Sequence, residues 1–202
     1  MNEDLKNLIN HININFIKFS ELWGKNNPNN RINLKKKFVK DIIPGSNILE
    51  TIYGYRSFLS EKILELNSLF KEYIVCDSII LTRLKTLNSI NDKIGKYTNK
   101  KSEQGNIPIN KCLNDIFGVR IILKMDINFD QIKNFTQNYV GNIKCIDSSK
   151  GIYKATHIYF RKTNYDFPWE LQIWRKEDEN NNINSHKIYK QEYIEWVEER
   201  RK

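Results

Sequence analysis

The feature that most constrains this chain is a change of hydrophobic period near its middle. In the first half, apolar residues recur every three or four positions. Leu5, Leu8, Ile9, Ile12, Phe16 and Phe19 form one series; Leu59, Ile63, Leu66, Phe70 and Tyr73 form another. That spacing lays an apolar stripe along a helix. In the second half the apolar residues come in strand-length runs. Residues 118–124 read as a buried strand and 142–146 as a short one, while 153–161 and 167–174 alternate with period two. Striped helices and half-buried strands must cover one another. The expected class is α+β: a mixed β-sheet flanked by helices, with an N-terminal helical extension.

The elements are punctuated by turn residues. An amphipathic helix, or two short ones, ends at Asn26-Asn27-Pro28-Asn29-Asn30, and Pro44-Gly45-Ser46-Asn47 marks a second turn. One long helix is expected over about 49–75, an extended piece over 79–85 and a helix over 89–96. A loop at 99–106 and short helices at 109–116 and 129–139 follow. A loop at 147–151 precedes the last two strands. Residues 177–184 are polar and Asn-rich, and 186–199 read as a closing helix with Tyr189, Tyr193 and Trp196 on one face. This divides the chain into an N-terminal helical region, 1–78, and a strand-bearing region, 79–202, together one compact unit.

A length of 202 residues suits a single domain. A hydrophobic content of 40% with 12% aromatics supplies a core despite the many Asn and Lys residues. The net charge of +9, from 33 Lys and Arg against 24 Asp and Glu, favours polyanionic partners: nucleotides, RNA or anionic surfaces. Coding bias toward Lys and Asn produces the same excess, so charge alone selects none of these. Cys76, Cys112 and Cys145 show neither a C-x-x-C pair nor a metal-ligand spacing and read as free thiols in a reducing compartment. The N-terminus lacks an apolar signal core, and no run approaches the ~18 apolar residues of a membrane span. A cytoplasmic protein without a membrane partner is expected.

Two acids stand at the edges of strand-like runs, Asp115 and Glu170. Convergent carboxylates can hold Mg²⁺, a hard cation that bridges phosphates, and one can take a proton from an attacking hydroxyl. Taken singly, acids at strand ends are ordinarily solvated or ion-paired. Arg83, Lys85 and Lys93 lead from an extended segment into a helix, a placement that can line a polyphosphate groove, and an Arg can stack on a purine. Tyr153 follows the 147–151 loop, where a ring can stack on a base. The chain has no Walker loop, G-x-G-x-x-G, H-E-x-x-H or nucleophile elbow.

Together these segments are more specific than any one of them. Arg83-Leu84-Lys85 with Ser89 and Lys93, then Asp115-Ile116-Phe117-Gly118-Val119-Arg120, then Lys150-Gly151-Ile152-Tyr153-Lys154-Ala155-Thr156-His157, then Glu170-Leu171-Gln172-Ile173, resembles in order and spacing the RelA/SpoT-type synthetase domain. The resemblance runs from about Leu81 to Trp196, with Ser185-His186 trailing. It implies a nucleotidyltransferase-like mixed sheet and a Mg²⁺-dependent pyrophosphokinase that moves the β,γ-pyrophosphate of ATP to a ribose 3′-hydroxyl. It implies Asp115 as Mg²⁺ ligand, and Glu170 as the acid that activates the hydroxyl and shares the metal. Arg83 and Arg120 become the pair around the donor adenine, and Lys85, Ser89 and Lys93 the donor phosphate contacts. Tyr153 becomes the ring on the acceptor base, with His157 and Gln172 nearby.

Two departures bear on the acceptor. The family's G-Y-R-S before the histidine reads Ile152-Tyr153-Lys154-Ala155, and its E-L-Q-I/F-R-T reads Glu170-Leu171-Gln172-Ile173-Trp174-Arg175. The Trp174 form and the Ser185-His186 tail resemble the toxic small alarmone synthetase branch, whose members modify the 3′-terminal adenosine of the tRNA CCA end and are paired with a neutralising antitoxin. Lys35, Lys36 and Lys37 are then weak candidates for tRNA contact. Two other readings stand beside this one: a nucleotide-level synthetase making (p)ppGpp, or an adenosine analogue, from ATP and GTP or GDP, and an inert RNA-binding module. No metal-dependent hydrolase His-Asp motif is present, and no regulatory domain is expected after Lys202.

Overall fold

The computed structural model describes residues 2–71, 73, 75, 78–137, 139, 142–185 and 187–188. Cys76, His186 and the expected aromatic face of Tyr189, Tyr193 and Trp196 lie outside the described residues.

The first apolar series forms α1, Asn2–Asn26, and all six of its residues are buried. A 3₁₀ turn at Pro28–Asn30 closes it. The second series is divided between α2, Asn47–Glu61, and α3, Ile63–Lys71, where one helix over 49–75 is expected. Ser46 caps α2 by accepting from the Leu49 amide. The break at Lys62 has a packing reason. Tyr55 and Phe58 of α2 meet Trp23 of α1, while Phe70 of α3 meets Phe117 of the sheet, and one straight helix cannot aim both stripes.

The sheet has five strands: β1 Ile79–Leu84, β2 Phe117–Leu123, β3 Asn142–Asp147, β4 Thr156–Arg161 and β5 Trp169–Arg175. Their order is β1-β2-β5-β4-β3; only β2 and β5 run parallel, so the sheet is mixed, as expected for the class. Helices α4 (Leu87–Asn99) and α5 (Ile109–Cys112) join β1 to β2, and α6 (Phe129–Phe135) joins β2 to β3. Helix α5 is shorter than the 109–116 expected. The chain straightens to enter β2 and leaves Asn114 and Asp115 in a loop. The polar stretch 177–184 is a 3₁₀ turn at Lys176–Asp178 followed by helix at 179–185. No helix among the described residues is long and apolar enough to cross a membrane.

Side chains directly opposite one another share a face. Register therefore sorts the sheet into two. One face carries Phe117, Val119 and Ile121 from β2, Ile158 and Phe160 from β4, and Trp169, Leu171 and Ile173 from β5; it packs on α1–α3 in one continuous core. Trp169 anchors it, edge-on to Phe16 at 5.8 Å and hydrogen-bonded through its indole N–H to the Tyr55 hydroxyl at 2.8 Å. The other face carries Arg83, Arg120, Glu170, Gln172, His157 and Tyr159.

Candidate active site

The period of the strands builds the polar face. In β5, Glu170, Gln172 and Trp174 alternate with the core residues, and all three are buried. Gly118 stands opposite Glu170, with Arg83 beyond it on β1, so nothing longer than hydrogen projects between the carboxylate and the arginine. A Cβ at Gly118 would lie 3.9 Å from Glu170 Oε2.

Glu170 is held on both oxygens. Oε1 accepts from the Tyr159 hydroxyl at 2.9 Å and faces His157 Nδ1 at 3.1 Å; Oε2 accepts from Gln172 Nε2 at 2.8 Å. Burial acts to raise its pKa, but the hydrogen bond and charge of His157 outweigh that and hold the carboxyl below its ordinary range. Glu170 thus stays ionised while 7% exposed. The same carboxylate, after burial, pushes the Tyr159 hydroxyl well above the usual range.

Gln172 Oε1 in turn accepts from Arg120 Nε at 3.0 Å and Nη2 at 2.8 Å. The Arg120 guanidinium lies 3.7 Å over the Trp174 ring, which is 1% exposed. Burial, and then the charge of Arg83, lowers the Arg120 pKa. The Tyr153 hydroxyl meets His157 Nε2 at 2.8 Å, and its ring stands edge-on to Trp174 at 6.1 Å. Burial lifts its pKa to about 12. The 147–151 loop leads into a hydrogen-bonded turn. Gly151, at a φ of 59°, makes the turn in which Lys150 and Tyr153 exchange backbone hydrogen bonds.

The second acid sits at the end of the face. Asp115 accepts from Lys85 Nζ at 2.7 Å and from Lys93 Nζ at 2.9 Å. Burial opposes its charge, yet the lysines hold its carboxyl down to about 2. Lys85 is buried just past β1, its amide bound to the Ile116 carbonyl, and burial lowers its pKa. Ser89 lies in the first turn of α4, its hydroxyl accepting from the capping Thr86 at 2.9 Å. Asp115 is near enough to Glu170 that its charge opposes, without overcoming, the lowering of the Glu170 pKa by His157.

The expected residues Arg83, Lys85, Lys93, Asp115, Arg120, Tyr153, His157, Glu170 and Gln172 thus lie on or beside one polar face. Lys35, Lys36 and Lys37 do not. They are exposed on a separate turn, whose backbone meets the segment leading to Asp115 through bonds such as the Ile109 amide on the Lys37 carbonyl at 2.9 Å. Tyr159, which holds Glu170, escaped the sequence reading; Trp174, which backs Arg120, and Gly118 entered it only as parts of a motif, with no contact assigned. The signal for Tyr159 was its place two residues after His157 in an alternating strand. Two concavities lie away from this face, one at Asp4, His11 and Tyr73, the other at Asn128, Lys154 and Arg175.

Among the described residues, no three His, Cys, Asp or Glu side chains converge as an all-protein metal cage. A Mg²⁺ ion arriving with a nucleotide makes a smaller demand: one or two carboxylates, the rest of its shell coming from phosphates and water. Asp115 and Glu170 fit that donor set: both Asp115 oxygens and Glu170 Oε2 accept one bond each and keep a lone pair, while Glu170 Oε1 is taken up by Tyr159 and His157.

No protein-family model and no curated protein sequence matches the chain. Among solved structures it is similar to small alarmone synthetase 1 from Bacillus subtilis, with 17% identity over 70% of this chain and 76% of that chain, at a TM-score of 0.40. The same enzyme bound to its product pppGpp is similar at 16% identity, 73% and 82% coverage and a TM-score of 0.42. Its complex with AMPCPP shows 16% identity, 70% and 76% coverage and a TM-score of 0.33. A likeness of this degree assigns no residue a role.

Proposed function

We propose that the polar face is the active site of an ATP-dependent pyrophosphokinase with a nucleotidyltransferase-like sheet, and that its acceptor is the ribose 3′-hydroxyl at the CCA end of tRNA. One observation carries the chemistry: a buried carboxylate, Glu170, kept ionised by three oriented partners, on a face where Arg83, Lys85, Lys93 and Arg120 outnumber the acids. A surplus of cations suits a polyphosphate, and an ionised, dry carboxylate suits a proton acceptor.

In this reading the acceptor hydroxyl oxygen attacks the β-phosphorus of ATP. Its proton passes to Glu170, the bond from the β-phosphorus to the α,β-bridging oxygen breaks, and AMP departs. The guanidinium planes of Arg83 and Arg120 hold the adenine. Lys85 and Lys93 exchange Asp115 for the phosphate oxygens, with Ser89 beside them. Tyr153 lies against the acceptor base. Asp115 and Glu170 are the side chains that would hold Mg²⁺, which supplies charge neutralisation on the transferring group.

The RNA acceptor is supported by the net charge of +9 and by Lys35, Lys36 and Lys37, exposed and in no ion pair among the described residues. A tRNA-modifying enzyme of this kind would require a neutralising antitoxin partner.

The test is incubation of the purified protein with γ-labelled ATP, Mg²⁺ and either deacylated tRNA or GDP and GTP. Label on tRNA is the expected result. Label on guanine nucleotide makes it a (p)ppGpp-type synthetase with the same donor chemistry. RNA binding with no labelled product leaves an inert binding module.

A further inference from the structure

Gln172 is engaged at both ends of its amide. The oxygen accepts two N–H bonds from Arg120, at 3.0 and 2.8 Å, and the nitrogen donates to Glu170 Oε2 at 2.8 Å. Only one orientation of the amide serves, because reversing it would set an N–H₂ against a guanidinium and an oxygen against a carboxylate. Both contacts are charge-assisted, and the residue is buried, so each is stronger than a surface hydrogen bond. The amide is planar. Its two ends therefore move as one body, and a displacement of Arg120 reaches the Glu170 carboxylate. Arg120 is restrained on its other side by the Trp174 ring at 3.7 Å, a packed plate against which it can tilt but not retreat.

We propose that Gln172 is a positioning residue that couples the donor and acceptor halves of the site, with Trp174 as its backing plate. This rests on the pyrophosphokinase reading of the face. A purine settling on the open side of Arg120 completes a stack of ring, guanidinium and base. It narrows the motion of Arg120, and through Gln172 it narrows that of Glu170. The acceptor hydroxyl then meets a carboxylate whose ordering is already complete, and its binding is tighter for that reason. Tryptophan at 174 has a function in this scheme that arginine could not perform, since a second cation beneath Arg120 would repel it.

The coupling is read from binding. Affinities are measured for a non-hydrolysable ATP analogue with Mg²⁺, and for deacylated tRNA and GTP, each alone and with its counterpart present. In the wild-type protein the analogue tightens acceptor binding about five-fold or more, and the acceptor tightens analogue binding by the same factor, because coupling is reciprocal. In Gln172→Leu that factor falls to near one. Trp174→Leu lowers it, and Trp174→Phe, which keeps a ring under the guanidinium, restores it. If Gln172→Leu fails to fold, Gln172→Glu replaces it: the Arg120 contact survives, a carboxylate faces Glu170, and the factor again falls. A structural role alone would weaken both affinities or lower the melting temperature while leaving the factor unchanged, and that result overturns the coupling. Wild-type protein that binds both partners independently overturns the coupling and leaves the pyrophosphokinase reading standing. Wild-type protein that binds neither removes both.

Discussion

The two faces of β5 differ in what makes burial tolerable. Trp169, Leu171 and Ile173 point into the apolar core and are dry because helices cover it. Glu170, Gln172 and Trp174 point the other way and are nearly as inaccessible, though their cover is one another and their neighbours on β2 and β4. On the first face, free energy comes from apolar area and is forgiving of which apolar residue supplies it. On the second, each polar group is satisfied by a particular partner, so one deletion strands the next. A single strand can therefore carry stability on its odd positions and chemistry on its even ones.

The sharpest way to break that division is to mutate adjacent residues. Glu170→Gln keeps the shape and removes the charge; pyrophosphate transfer should fall about 100-fold or more while the melting temperature changes little. Trp169→Ala should do the reverse, costing about 3–5 kcal/mol of stability, with turnover per folded molecule retained. Denaturant titration paired with the labelled-ATP assay measures both. Wild-type turnover in folded Glu170→Gln removes the catalytic assignment, and lost turnover in folded Trp169→Ala erases the division between the faces.

A smaller effect separates two arginines on the polar face. Arg120 is backed by the Trp174 ring and half-buried, whereas Arg83 is exposed at the edge strand. If both hold the donor base, Arg120→Ala should weaken binding of an ATP analogue about five- to thirty-fold, from about 1–2 kcal/mol of stacking in a desolvated place. Arg83→Ala should weaken it only about two- to five-fold, from about 0.5–1 kcal/mol at an exposed one. Calorimetric titration ranks them. Equal losses would mean that the Trp174 plate adds nothing; unchanged ATP affinity with lost acceptor affinity would place both residues on the other substrate.

Tyr153 is next in size. Tyr153→Ala should reduce transfer about ten-fold through a stacking loss of about 1–3 kcal/mol, without weakening ATP binding. Tyr153→Phe keeps the ring and loses the hydroxyl's bonds, the one to His157 among them, so its effect should be milder. Asn182 tests the same place from outside. It is fully buried and clamps both backbone groups of Lys154, each at 2.8 Å, next to Tyr153. Asn182→Ala should raise the acceptor KM more than the ATP KM. An ATP affinity that falls with activity in Tyr153→Ala would put the ring on the wrong substrate.

What the sequence disclosed follows from what is local. The stripe on α1 and the alternation of β4 and β5 survive in any context, so the mixed sheet and the polar run Glu170, Gln172 were legible. The break at Lys62 was not, because it answers to where Trp23 and Phe117 sit, far away in sequence. The helix at 179–185 was not, because its Asn-rich residues have poor propensity and are held by the Asn182 clamp. Tyr159 was hidden for another reason: an aromatic in an alternating strand looks the same whether it faces core or carboxylate. Trp174 was visible only as a departure from a pattern; its contact with Arg120 is what gives that departure a physical role.

The smallest expected effect lies off both faces. Lys35, Lys36 and Lys37 are exposed on a turn whose backbone is bound to the Ile109 amide, at the start of the short helix that leads to Asp115. They touch no residue of the polar network, so reversing all three charges to Glu should leave the fold and ATP affinity unchanged. With tRNA as acceptor, the variant should bind more weakly and with a flatter salt dependence, since each lost phosphate contact removes a counterion released on binding and lowers the slope by about 0.7–0.9. With a free nucleotide as acceptor, no such change follows, because so small a ligand need not extend from the sheet to this turn. Titrating tRNA at several salt concentrations separates the cases. A parallel pair of salt plots for wild type and variant would confine acceptor recognition to the polar face and leave the lysine turn an ordinary solvated one.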